Sequence, residues 1–182
     1  MNFELEHNNF LFVPNFINRE RAQSLNYWLL AERDAGHLID DPRANLGLFG
    51  KAYQDAIPFL ELLCEKRNEV SSLIKESVLP TYSYCIIYDS GSKLIRHLDR
   101  PACEISLTVH LDGDVEWPIF IKKPSGEEVS FNLNPGDAVI YLGCIAEHWR
   151  NNFTGKHYSQ VFLHYVRTNG PRSFAYFDKD KK

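Results

Sequence analysis

Beyond Pro80 the chain breaks into short runs of β-branched and aromatic residues, and this rhythm limits the possible fold more than any other feature. The runs are "TYSYCIIYD", "CEISLTVHLDG", "WPIFIKK", "EVSFNL", "DAVIYLG" and "HYSQVFLHYV". They are punctuated by "DSGS", "DGD", "KPSGEE", "NPGD" and "NNFTGK", whose Gly, Pro, Asn and Asp favour turns. Many short strands at close spacing predict an antiparallel sandwich or barrel.

The first 80 residues read differently. "INRERAQSLNYWLLAERDAG" predicts a helix capped by Asn18, with Ala22, Leu25, Trp28 and Leu29 as its apolar stripe and Gly36 at its end. "IPFLELLCEKRNEVSSLIKESVLP" predicts a second, with Pro58 in its first turn and Leu62, Leu63, Val70, Leu73 and Ile74 on one face. Pro80 is expected to stop it, and "LIDDPRANLGLFGKAY" between the helices is expected to be a loop. The expected class is mainly β with N-terminal helices (α+β), a single domain over residues 1–182. Residues 1–80 form mostly helical support, and residues 81–168 form a sheet core with the two helices packed on one sheet. "FDKDKK" is expected to be a charged, frayed tail.

Composition narrows the partners. A net charge of −4 and a pI near 6.0 give no broad basic surface for nucleic acid. No apolar run approaches the ~20 residues of a membrane span. The start "MNFELEHNNFLFVPNF" lacks the pattern of a signal peptide. Cys64, Cys85, Cys103 and Cys144 are widely spread without a CxxC pair, so reduced, buried thiols in a cytoplasmic protein are expected.

The chemistry is concentrated in "RHLDRPACEISLTVHL", where His97 and Asp99 stand two positions apart at the start of a strand-like run. On an extended chain such residues share a face, and placing both inward is costly unless something binds them. His148, 49 residues beyond Asp99, follows the turn "LNPGD" and the strand "DAVIYLG". Two imidazoles and one carboxylate on one face leave the opposite positions of a metal open, which suits Fe(II) binding an oxidant beside a substrate. Each residue also has an ordinary reading. HxD recurs by chance, His148 alone fits a satisfied core or surface histidine, His7 and His37 look structural, and His164 in "QVFLHYV" fits a packed core histidine. Order supports the metal site: HxD, a PGD turn, a histidine, then Lys156 before the last apolar strand. A dicarboxylate co-substrate needs a cation at its far end, and Lys156 can serve as that point charge. Arg150 is a rival anchor, and Lys156 also fits a solvated loop lysine beside Gly155.

On these residues the sequence resembles the 2-oxoglutarate- and Fe(II)-dependent dioxygenases, and within them the prolyl 4-hydroxylase-like branch. "YDSGSKLIRHLD", "LNPGDAVIYLG" and "EHWRNNFTGKHYSQVFLHYV" are similar to that branch's motifs, over roughly residues 82–167. The resemblance implies a double-stranded β-helix, or jelly roll, with His97, Asp99 and His148 as iron ligands. It implies Lys156 as partner of the distal 2-oxoglutarate carboxylate, with Tyr88 and His110 in the same pocket. The loop from His148 to Lys156 is a residue shorter than in that branch, which leaves Lys156, Arg150 and His157 competing for the anchor. The implied reaction consumes O2 and 2-oxoglutarate and releases succinate and CO2 as a C–H bond is hydroxylated, with ascorbate as an accessory reductant. A carboxylate at Asp99 implies hydroxylation rather than halogenation.

The substrate is open at this point. Arg100, Arg150, Trp149 and Trp117 adjoin the motifs and are candidates for the open side, Arg100 and Arg150 foremost. A peptidyl proline fits the branch, and a free amino acid or another small metabolite is the alternative. Two other classes compete. A non-redox metal cupin shares the barrel and the histidines but needs no dicarboxylate anchor, and a β-sandwich binding module would make the histidines incidental.

Overall fold

The computed structural model describes residues 2–178. Eleven strands and three α-helices are present among them: α1 (Phe3–Asn8), β1 (Phe10–Val13), α2 (Arg19–Asp34), β2 (Ile39–Asp40), β3 (Gly50–Gln54), α3 (Ile57–Ile74), β4 (Val78–Asp89), β5 (Leu94–His97), β6 (Ile105–Gly113), β7 (Ile119–Lys122), β8 (Glu128–Phe131), β9 (Ala138–Tyr141), β10 (His148–Arg150) and β11 (His157–Arg167). They form a seven-stranded sheet, β1-β9-β6-β11-β4-β3-β2, facing a four-stranded one, β5-β10-β7-β8. All strand pairings are antiparallel. The chain is thus the jelly roll expected.

The helices sit where their apolar stripes require. The Asn18 side chain accepts from the Arg21 amide at 2.7 Å and starts α2. Leu25 and Leu29 of α2 and Phe59, Leu62, Leu63, Val70 and Ile74 of α3 share a core with Ile87, Leu107, Val109, Val161 and Leu163 of the large sheet. Alternation along β11 then turns Tyr158 and Phe162 to the opposite face, inside the barrel. One face of the large sheet is covered by helices, and the other lines the site.

Several expectations are corrected. α3 ends at Ile74, where Lys75 takes a left-handed conformation, and Pro80 lies within β4 instead of stopping the helix. Pro80 opposes only Tyr165 of β11, since β3 joins β4 from Tyr84 onward, so its missing N–H breaks no ladder on the second side. The segment expected as a loop supplies β2 and β3. β3 reads "GKAYQ", poor in β-branched residues, and Gly50 opens it because a Cβ there would stand 2.4 Å from the Ile87 carbonyl oxygen. β1 was hidden in the N-terminal segment and pairs with β9. The expected fraying of the tail does not hold at Asp178, which is buried and ion-paired to Arg100, while residues 179–182 lie outside the described residues. The cysteines are free, but Cys64 is exposed and Cys144 half-buried. Among the described residues no helix is long and apolar enough to cross a membrane.

Candidate active site

The pairing of β5 with β10 brings the two histidines together. His97 and His148 are direct partners in the ladder, and their ring centroids are 4.2 Å apart. Here the strand reading needs correction: HxD closes β5 instead of opening a strand. Asp99 lies two residues beyond the strand end, its amide donating to the Gly143 carbonyl at 2.9 Å. Its Oδ1 is 3.5 Å from His97 Nε2 and 3.6 Å from His148 Nε2. The three residues offer ligand atoms within 4.8 Å of one another.

Neighbouring groups set the orientation of each. Nδ1 of His97 faces the Ile95 carbonyl at 2.7 Å, and Nδ1 of His148 faces the Ala146 carbonyl at 2.9 Å. A carbonyl can only accept, so each Nδ1 carries the proton and each Nε2 keeps its lone pair for the shared point. Ser106 Oγ donates to Asp99 Oδ2 at 3.0 Å and lies 2.9 Å from His164 Nδ1. This turns the other carboxylate oxygen toward the histidines. Burial works to raise the Asp99 pKa, but the His97 hydrogen bond and the charges of His148 and His164 hold it well below the usual carboxylate range. Burial lowers His148, whereas at His97 burial is outweighed by the hydrogen bonds to Asp99 and the Ile95 carbonyl together with the Asp99 charge, and the net shift is upward. The donor set is that of a divalent metal with open positions.

A second polar group sits inside the barrel. Arg150 follows His148 by two residues and is 2 % exposed. Its Nη1 donates to the Trp117 carbonyl and its Nη2 to Gln160 Oε1 at 3.0 Å. Its guanidinium lies 4.9 Å and 5.0 Å from the ring centroids of Trp117 and Tyr158. Gln160 in turn donates to the Tyr88 hydroxyl at 3.4 Å. Arg150 Nε and His110 Nδ1 are buried without a hydrogen-bond partner, and no carboxylate pairs with Arg150 among the described residues. A buried guanidinium without an anion is costly. The pocket therefore fits a carboxylate brought by a ligand.

The other predicted residues separate. Lys156 is exposed, in a turn whose amide donates to the Asp114 carboxylate, and it does not face the barrel. His157 opens β11 on its outer face, 3.5 Å from Asp112. Of the three contenders for the anchor, only Arg150 points inside. That placement also removes Arg150 from the open side. Trp149 lies on the outer face of the small sheet, under Arg96 at 3.6 Å and stacked on Phe120. Trp117 is inside, donating to the Asn151 carbonyl. His110 stacks on Tyr158 at 4.2 Å, in the same interior region as Tyr88.

A cavity of about 220 Å³ adjoins these three side chains: His97, Asp99 and His148. Arg100 stands at its wall, gripped by Asp178 at 2.6 Å and 3.0 Å and lying over the Tyr82 ring. His164, expected only as core, also lines it. Arg43 was missed. It sits over Tyr84 and is held by Asp41, two residues earlier in "DDPRAN". An Asp and an Arg flanking one proline was the available signal, but nothing in the sequence said that this loop folds against the site.

No family model matches the sequence, and no curated protein does. Solved structures do. A Pseudomonas putida prolyl-4-hydroxylase superposes with a TM-score of 0.72 at 14% identity, over 90% of this chain and 95% of that one. A Trichoplax adhaerens prolyl hydroxylase in complex with a hypoxia inducible factor peptide fragment gives 0.73 at 13%, over 89% and 86%. HygX from Streptomyces hygroscopicus, solved with nickel, 2-oxoglutarate and hygromycin B, gives 0.69 at 13%, over 92% and 86%. At such identities the likeness is one of fold, and the chain is a double-stranded β-helix of the kind these structures share.

Proposed function

We propose that this protein is an Fe(II)- and 2-oxoglutarate-dependent oxygenase that hydroxylates an unactivated C–H bond. The observation that carries the reading is the pairing of His97, Asp99 and His148 with a buried Arg150 that has no anion of its own. A metal cupin or a binding module would explain the first or neither.

Iron and 2-oxoglutarate, when bound, couple O2 reduction to oxidative decarboxylation, one oxygen atom entering succinate and the other the substrate hydroxyl. The protein's own groups prepare the site. His97 and His148 present lone pairs because backbone carbonyls hold their Nδ1 protons. Ser106 fixes Asp99, whose carboxylate occupies the third position on the same side. With that position filled, the residues favour hydroxylation over halogenation. Arg150, supported by Gln160 and Tyr88, holds the distal carboxylate of the keto acid, with His110 alongside. Leu94, Phe162 and Tyr84 wall the cavity and limit water. Arg100 and Arg43 face the region where a substrate enters. Both a prolyl residue and a free small molecule are compatible with this wall, and the solved neighbours include structures with a peptide fragment and with hygromycin B.

The test is anaerobic addition of Fe(II) and 2-oxoglutarate. The weak visible charge-transfer band of the chelate should form in the native protein and vanish in His97→Ala. Its absence from the native protein would sink the reading.

A further inference from the structure

We propose that an apolar lobe beside His97 receives the alkyl chain of a small aliphatic carboxylate, with Arg43 and Lys93 holding its acid group. This names a substrate class for the site and rests on the oxygenase reading above.

The lobe has a volume of about 120 Å³ and an aliphatic wall of Leu46, Leu48, Leu94 and Ile95. It shares Leu94, His97 and Arg43 with the main cavity, so the two spaces meet at a metal-ligand residue. An apolar cavity of roughly 150 Å³ stays dry and takes benzene. A chain of about five carbons is the corresponding guest here.

Charge selects the head group. Asp41 takes Nε and Nη2 of Arg43 at 2.9 Å and 2.7 Å, and Tyr84 donates to the same carboxylate at 2.8 Å. Arg43 is thereby fixed, and its Nη1 has no partner among the described residues. Lys93 forms the other side of the lobe. Its stem lies across Gly47, where a Cβ would stand 2.7 Å from Lys93 Cε, and φ at Gly47 is +83°. Lys93 has no ion pair among the described residues. Two cations against one carboxylate leave one positive charge at the edge of an apolar space. An alkyl carboxylate complements both parts, while a neutral hydrocarbon or an amine complements only one.

Pentanoate and 4-methylpentanoate, with their amides as controls, are titrated calorimetrically into the protein before and after anaerobic loading with Fe(II) and 2-oxoglutarate. The acids should bind, and the amides should bind about tenfold more weakly. Lys93→Gln should weaken the acids about threefold to fivefold. Because the Lys93 ammonium has no ion-pair partner among the described residues and glutamine keeps most of the stem over Gly47, this variant tests the head group without disturbing Asp41. Leu46→Trp, at an exposed wall position, should exclude the branched acid. Equal binding of acid and amide, indifference to both variants, or no binding of either acid overturns the proposal. The chelate band is read separately. A band without acid binding removes the lobe assignment alone, and acid binding without a band removes the oxygenase reading alone.

Discussion

Gln160 on β11 accepts a hydrogen bond from Arg150 on β10 at 3.0 Å, and both side chains are sealed from solvent. The contact joins the strand of the distal histidine to the last strand, and it orients a cation that no carboxylate among the described residues neutralises. Arg150→Met should therefore weaken 2-oxoglutarate binding by about 100-fold, the scale of removing one partner of a buried charge pair. Titration of the chelate band measures this. Lys156→Ala, at an exposed turn, should stay within twofold of the native value. A larger loss in Lys156→Ala than in Arg150→Met would reverse the assignment.

Ser106 touches no proposed ligand except Asp99, yet it decides which carboxylate oxygen faces the histidines. Ser106→Ala should lower divalent-metal affinity by about 10-fold to 100-fold, the usual cost of losing an outer-shell partner. Competition against a chromophoric chelator gives the number. Metal at 100 times its dissociation constant should also stabilise the native fold by about 2.7 kcal/mol, and this gain should disappear in His148→Ala. An unchanged melting temperature on metal addition to the native protein would contradict the site.

Much of this site was legible because its signals are local. His97, Asp99 and His148 are marked by the HxD spacing and a PGD turn, and the capping of α2 by Asn18 is written in adjacent residues. The anchor was harder. Lys156 and Arg150 are both basic and close to His148, and only the turn clamped by Asp114 decides that the first faces water. Arg43 was invisible for a stronger reason. Its role depends on β2 and β3 bringing a Pro- and Gly-containing loop against β5, and those strands have little β-branched character. Asp178 shows the same limit, since a charged tail looks frayed until Arg100 is known to lie beneath it.

β3 can be tested directly. Gly50 lies against the backbone of β4, with a Cβ position 2.4 Å from Ile87 O and 3.1 Å from Tyr88 Cα. Backbone cannot yield as a side-chain tip does. Gly50→Ala should cost about 1–3 kcal/mol, the range for overpacking, and should loosen the loop that holds Arg43. Urea unfolding measures the first effect. A variant as stable as the native protein would show that β3 does not approach β4 this closely.

Acid should destabilise the metal-free protein well above the carboxylate range. Burial, aided by the Arg150 charge, lowers the His110 pKa to about 4, and burial lowers His164 to about 4 against the pull of Asp99. In the unfolded chain both titrate near 6.5. Between those values the unfolded state holds protons that the folded state refuses, so stability rises with pH there and is lost as pH falls through 6.5. Each group can remove up to about 3 kcal/mol by pH 4, with a slope of about 1.4 kcal/mol per pH unit per proton. The lowered pKa of His148 acts in the same direction, and the raised pKa of His97 opposes it. His110→Gln isolates one contribution, and its urea midpoint should fall less steeply between pH 6.5 and 4.5 than that of the native protein. A native midpoint that stays level across this interval would mean that His110 and His164 accept protons without unfolding, and that the barrel interior is wetter than its packing indicates.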